Sequence, residues 1–377
     1  MDNLTHSLIG LAASKAGLER LSPGTTTLCI LAANAPDADI VALIGGRWAY
    51  LHHHRGITHS IIGTLTIAVA LPVAFYLIDW LWSRFRNHEQ RIRLPGLLLA
   101  SLLVSATHPL MDFTNNYGVR FFLPWSTHWS YGDLVFIIDP FLWVLLGGSA
   151  FLLTATTKAR TAVWLTIAAA TTFIVLFGPA SRGGLPNPTP LRIFWICAVI
   201  GLLVLHLQGN ARRLGAKVSM AALATVGVYL MALFVIHGFA LRQTGRQASF
   251  IASENQEQTI RIAAMPTLAN PARWMSVFET DRATYRFSLD LWSGSVSDRV
   301  RFAKPEASNG SAVEQARQDS RAQVFLDFAR FPVVNVAGAD CLTQTLVQFA
   351  DLRYTEPGRG RGTFSLEVPV DCPVQTE

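Results

Sequence analysis

Four histidines fall within eight residues in the stretch His52-His53-His54-Arg55-Gly56-Ile57-Thr58-His59, which Ser60 closes. Imidazole is the commonest protein ligand for metals, and neutral nitrogen donors suit zinc and other borderline divalent ions. Gly56 lies between His54 and His59, where it lets the backbone turn sharply enough to aim both rings into one site. A polar headgroup-level loop with incidental histidines is the plainer reading, but this density of imidazoles favours metal binding. A second group, Asn34-Ala35-Pro36-Asp37-Ala38-Asp39, supplies two carboxylates. Pro36 disfavours helix just before it, so the pair is expected on a turn or extended piece, its side chains pointing different ways. They would serve two ions, or one ion and its water. A helix cap or polar turn is the structural alternative, and the apolar surroundings favour function.

The third group, His108-Pro109-Leu110-Met111-Asp112, ends an apolar segment. On a helix a four-residue offset places both ionisable side chains on one face, a turn apart. Such a pair is costly at membrane depth unless it binds something. His6, in Asn3-Leu4-Thr5-His6-Ser7, opens the first apolar stretch and joins the ligand candidates through its position along the chain. Asp133 and Asp139 are expected to orient a ligating histidine. His128, between Trp125 and Trp129, fits an interfacial aromatic belt. His88, His206 and His237 receive no role. No HExxH, GxSxG or P-loop pattern occurs.

These groups must be positioned by membrane helices. Apolar residues make up 51% of the 377-residue chain and charged ones only 15%, below the quarter usual for soluble proteins. The deficit lies between Leu4 and about Leu241. Six stretches there approach the length of about 20 residues that crosses a bilayer: 57–82, 94–111, 134–154, 162–178, 191–207 and 218–241. Two shorter ones, 4–18 and 25–44, are spanning, re-entrant or packed beside the bundle.

Arg84, Arg86, Arg91 and Arg93, then Lys158 and Arg160, then Arg212, Arg213 and Lys217 occupy alternate loops. The positive-inside rule puts those loops in the cytoplasm. All the ligand candidates then fall near the outer face, and residues 242–377 lie outside the membrane. The net charge of +6 is accounted for by these loops, and nucleic acid is excluded as a partner.

The expected fold is therefore a polytopic α-helical membrane domain of six to eight helices, residues 1–241. A small soluble β-rich (α+β) domain follows over 242–377. Alternating patterns predict strands over 284–292, 324–336, 343–353 and 363–370, a helix around 313–323, and a polar linker over 243–258. Cys29 and Cys197 read as packed thiols, whereas Cys341 and Cys372 would form one disulfide in an oxidising compartment. The first residues lack the basic region of a cleaved signal peptide.

The combination of Thr5-His6, Pro36-Asp37-Ala38-Asp39, His54-Arg55-Gly56-Ile57-Thr58-His59-Ser60 and His108-Pro109-Leu110-Met111-Asp112 resembles the YdjM-like family of membrane-bound metal-dependent hydrolases. A looser match runs through Asn115–Gly118, Pro124, Asp133 and Asp139-Pro140, so the resemblance covers roughly the first 150 to 240 residues. His52 and His53 stand outside the motif, which makes His54 the better ligand candidate. That family is distantly similar to zinc-dependent phospholipase C and related phosphodiesterases.

The resemblance implies a hydrolase holding one to three divalent ions, zinc foremost. Its substrate would be a phosphoester, a lipid or lipid-linked one, at the outer face of a bacterial inner membrane. On this reading His6, Asp37, Asp39, His54, His59, His108 and Asp112 hold metal. Asp37 or Asp39 takes a proton from water, with Asp37 the first choice, and Arg55 steadies phosphate charge. The rival readings are a metal-ion transporter or sensor, and a non-catalytic scaffold stapled by its metal.

Overall fold

Asp2 starts the first helix by accepting from the backbone N–H of Thr5 at 3.0 Å and from its hydroxyl at 2.6 Å. In this computed structural model, which describes all residues except 87–88, 182–186, 306, 338–343, 361 and 372–377, helix α1 spans Asn3–Lys15. It is followed by α2, Thr25–Asn34, a 3-10 helix over Ala35–Gly45, and α3, Arg47–His53. Then come α4, Ile61–Arg86, and α5, Leu94–Phe113. A short helical stretch is built from α6, Pro140–Leu142, a π-turn at Trp143–Gly147, and α7, Gly148–Thr154. Next are α8, Lys158–Ser181, α9, Thr189–Gln208, α10, Asn210–Leu214, and α11, Ala216–Glu254.

Among the described residues six helices are long and apolar enough to cross a membrane: Thr25–Gly45, Ile61–Arg86, Leu94–Phe113, Lys158–Gly178, Thr189–Gln208 and Ala216–Glu254. The expected span over 134–154 is helical only from Pro140. Upstream of it the backbone N–H groups of Leu134 and Val135 both donate to the Thr114 carbonyl, at 2.7 and 3.0 Å. Asp139 then caps the new helix by accepting from Phe141 and Leu142. Pro36 does not interrupt the chain as expected, because the 3-10 helix continues directly from α2.

The chain forms two compact units. The first comprises Met1–Ala38, Arg55–Val235 and Pro266–Pro271; the second comprises Asp39–His54, Ile236–Met265 and Ala272–Glu377. In the first unit α1, α2, α4 and α5 pack through small side chains, with Cys29, Ala32, Ala33, Ala100 and Val104 fully or almost fully buried. Small residues let helix backbones approach where lipid supplies no hydrophobic drive. At Gly10 the approach is closest: an added Cβ would lie 2.5 Å from the Cys29 carbonyl oxygen. Trp143 ties the π-turn to the start of α1, donating to Asp2 and Thr5 at 3.1 and 3.2 Å.

The second unit carries two small antiparallel sheets. One has the order β1-β2-β3-β4, Thr259–Thr267, Asn270–Thr280, Ala283–Asp290 and Val296–Ala303. The other has the order β5-β6-β7, Pro332–Ala337, Gln344–Asp351 and Ser365–Asp371. Helices α12, Ala307–Arg317, and α13, Ser320–Phe328, cover the second sheet. Helix α3 packs against α13, with Trp48 on the same core as Phe325 and Phe349.

The strand expected over 324–336 is helix up to Phe328. Asp319 caps it, and Ala322, Phe325 and Phe328 bury one face at three-residue spacing. Nor is 243–258 a linker. Helix α11 runs through it to Glu254 and lays Ala248 and Ile251 against Phe278, Tyr285 and Phe287. Buried Glu257, just beyond, accepts from Thr280, Tyr285 and Arg301 at 2.8, 2.9 and 2.7 Å. Burial would raise its carboxyl, but those donors hold it below the ordinary value. Cys341 and Cys372 lie outside the described residues.

Candidate metal centre

The string from Arg55 to Ser60 builds a tight turn between two helices. Arg55 itself, rather than Gly56, adopts the left-handed backbone, with φ of 53°, a conformation rare for a long side chain. Its guanidinium over-determines it, donating to the Asn115 side chain at 2.9 Å and to the carbonyls of Asp112 and Gly118 at 3.2 and 3.4 Å. It also pairs with Asp112 Oδ1 at 2.8 Å and covers the Tyr117 ring. Ile57–His59 form one 3-10 turn. Ser60 then caps α4, its hydroxyl accepting from the Gly63 N–H at 3.1 Å.

Gly63 must stay small, because a Cβ there would stand 1.8 Å from the Ile57 carbonyl oxygen. Gly63→Ala is expected to displace the turn that carries His59 and to cost about 3 kcal/mol by overpacking. Thermal unfolding and metal content of the purified variant would check this. Gly201→Ala is the control, since nothing lies within 4 Å of its added Cβ.

Four donors from three parts of the chain meet in the first unit: Asp37, His59, His108 and Asp112. His59 Nε2 lies 3.4 Å from Asp37 Oδ1 and 3.3 Å from Asp112 Oδ2. His108 Nε2 lies 3.5 and 3.4 Å from the same two oxygens, and 3.0 Å from His59 Nε2. A tetrahedral zinc with bonds of about 2.0–2.2 Å sets its ligand atoms about 3.3–3.6 Å apart. The observed edges match that figure, with the His59–His108 edge a little tighter.

The remaining chemistry of the four also fits a cation. His108 Nδ1 meets the Ala33 carbonyl at 2.6 Å. A carbonyl only accepts, so Nδ1 carries the proton and the Nε2 lone pair faces the cluster. Asp112 Oδ2 is buried without a hydrogen bond among the described residues, as expected of a carboxylate oxygen reserved for an ion. The other oxygen, Oδ1, takes the cationic neighbours, Arg55 and the Met1 amine. The side chains of His59 and His108 have no exposed surface and Asp112 has 1%, whereas Asp37 keeps 15%. The cluster therefore opens at Asp37.

The other expected ligands are placed differently. His6 stacks on His108 with centroids 3.8 Å apart, and its Nε2 lies 3.4 Å from Asp112 Oδ1. Both its ring nitrogens are buried without a hydrogen bond among the described residues. Asp39 and His54 pair with each other, Oδ1 to Nδ1, at 3.0 Å. Asp37, Asp39 and His54 offer ligand atoms that all lie within 4.8 Å of one another. His52 and His53 are exposed and pack edge to face.

Asp139, expected behind a histidine, instead caps α6 and accepts from the Tyr229 hydroxyl at 2.8 Å. Asp133 is buried with φ of 53°. His237 Nε2 donates to the Ala264 carbonyl in the second unit, and His206 stacks on Phe151. A carbonyl uses the same atoms in every residue, so no sequence signal could have flagged Ala33. Asn115 was visible only within the looser family match.

Among curated proteins the chain is similar to the uncharacterized protein YfhP of Bacillus subtilis (strain 168), 27% identical over 162 residues, or 38% of this chain and 43% of that one. The chain thus spans less than half the length of that relative. No solved structure matches it. Residues 1–185 match the family described as YdjM inner membrane protein, and they include every donor of the cluster. This N-terminal part, with its apolar helices, is similar to the YdjM inner membrane protein family, and the six membrane-length helices among the described residues make the chain a multi-pass membrane protein.

Proposed function

We propose that the protein is a membrane-embedded metal-dependent hydrolase, that its ion is zinc, and that its substrate is a phosphoester carried by a lipid. The observation that carries this reading is the closed set of two imidazole nitrogens and two carboxylate oxygens at the spacing of one small divalent ion. When bound, such an ion polarises a phosphoryl oxygen and lowers the pKa of water. Zinc accepts this mixed set of imidazole and carboxylate donors.

The residues divide the work according to their surroundings. His59, His108 and Asp112 are sealed from solvent and fix position. Asp37, partly open, stands where water and substrate enter, and it is the group able to take a proton from the attacking water. Arg55 acts on the reaction through Asp112, since its guanidinium is already engaged there. In this reading the cluster and the β-rich unit face the periplasm, as the basic loops on the opposite side indicate.

The test uses purified full-length protein loaded with zinc and vesicles of bacterial phospholipid or prenyl-linked phosphate. Release of the phosphorylated headgroup or of free phosphate is expected. A chelator should abolish it, and Asp37→Asn should lower it at least about 100-fold. Zinc-loaded protein that turns over neither lipid class would end the reading.

A further inference from the structure

Helix α5 buries a polar line along one face. Ser101, Ser105, His108 and Asp112 follow one another at offsets of four, three and four residues, and none is more than 1% exposed. Offsets of three and four keep side chains on one helix face. The hydroxyls of Ser101 and Ser105 have no hydrogen-bond partner among the described residues, and neither does that of Thr64 on α4, 6% exposed. Serine used only for its smallness would turn its hydroxyl back onto its own helix. Thr66, Thr154, Thr171 and Thr225 do this, each bonding the carbonyl four residues earlier at 2.7–2.8 Å. Ser101 and Ser105 do not.

Two prolines add acceptors on the same faces. Pro109 has no N–H to give the carbonyl of Ser105, and Pro72 has none for the carbonyl of buried Ala68. Helical rise sets the heights of these groups. Ser105 lies about 4.5 Å and Ser101 about 10.5 Å along α5 from His108. Thr26 is about 10.5 Å along α2 from Ala33, whose carbonyl His108 meets, and Ser14 is about 12 Å along α1 from His6. Ser14 and Thr26 close that level with a hydroxyl pair at 2.7 Å, and Thr26 continues to Glu19 at 3.4 Å. Buried polar groups thus follow one another turn by turn along one face of α5, up to His108 and Asp112.

We propose that this column holds a chain of water molecules running from the metal cluster into the α1–α2–α4–α5 bundle. Buried water settles where two to four polar groups converge, and buried hydroxyls without a protein partner are the groups it satisfies. The chain gives solvent and protons a path to donors that are closed on every other side except at Asp37. The proposal rests on the bundle and the cluster geometry, not on the hydrolase reading, so either can fail alone.

The test is radiolytic hydroxyl-radical labelling of the full-length protein, which modifies buried side chains only where water stands beside them. Cys29, fully buried against Ala100 and Val104 of α5, is the reporter, and exposed Cys197 is the internal standard. Wild type should label at both. In the Ser101→Val, Ser105→Val double variant, labelling at Cys29 should fall about fivefold or more, with Cys197 unchanged, as the chain is displaced. Background labelling of Cys29 in the wild type, or an unchanged rate in the variant, overturns the proposal. Ser105→Ala provides a second measurement should the double variant not fold. A hydroxyl bonded to water makes the unfolding midpoint fall on its removal, whereas an unchanged or raised midpoint means a dry contact and rejects the column.

Discussion

Protein carrying His108→Ala should be purified without its divalent ion. Elemental analysis of the wild type, prepared free of chelator, should give about one ion per chain, and the variant should bind at least about 100-fold more weakly. The size of the effect follows from how many relations this ring sustains. Its Nε2 contributes to the cluster beside His59, Asp37 and Asp112, its Nδ1 is locked by the Ala33 carbonyl, and its face supports His6. His237→Ala, which alters a histidine bonded to the Ala264 carbonyl, should keep full metal content. Full occupancy in His108→Ala would mean that the cluster is not the ion's site.

The second large effect is expected at Arg55. Arg55→Ala removes one of the two cationic neighbours of the buried Asp112 carboxylate, and breaking a buried pair on one side costs about 3–5 kcal/mol. A marked fall in the unfolding midpoint should accompany loss of the metal, because Asp112 is then free to turn. Arg55→Lys is the discriminating comparison. A lysine keeps the charge but has no planar fork to meet the Asp112 carboxylate, the Asn115 amide and the Gly118 carbonyl together. It should therefore rescue neither property. If lysine restores both, charge alone suffices and the positioning role assigned to the guanidinium is wrong.

The meeting of His59, His108 and Asp112 was legible from residue type and spacing, since ionisable groups ending apolar segments have few other uses. The membrane helices were legible from length and composition for the same reason. What escaped was governed by packing. The segment 243–258 looks like a linker because its exposed face is polar, while Thr244, Ala248 and Ile251 on the other face are buried. Phe325 and Phe328 belong to a helix face rather than a strand because Asp319 starts a helix there, and a short apolar run fits both periods. The left-handed turn at Arg55 was assigned to Gly56, as glycine tolerates it more readily; side-chain contacts made by residues far along the chain decide the matter. The 3-10 helix over Ala35–Gly45, which carries Asp37 and Asp39, runs through Pro36, which argued against it.

One consequence concerns where the protein can be cut. Asp37 stands two positions before Asp39, where a stretch counted with the β-rich unit begins, and Arg55 follows directly after that stretch ends at His54. Sixteen residues from the N-terminal part of the chain, 39–54, therefore count with the strand-bearing unit. Shortening the chain after the last long helix would leave Trp48 without the core of Phe325 and Phe349 that it packs against.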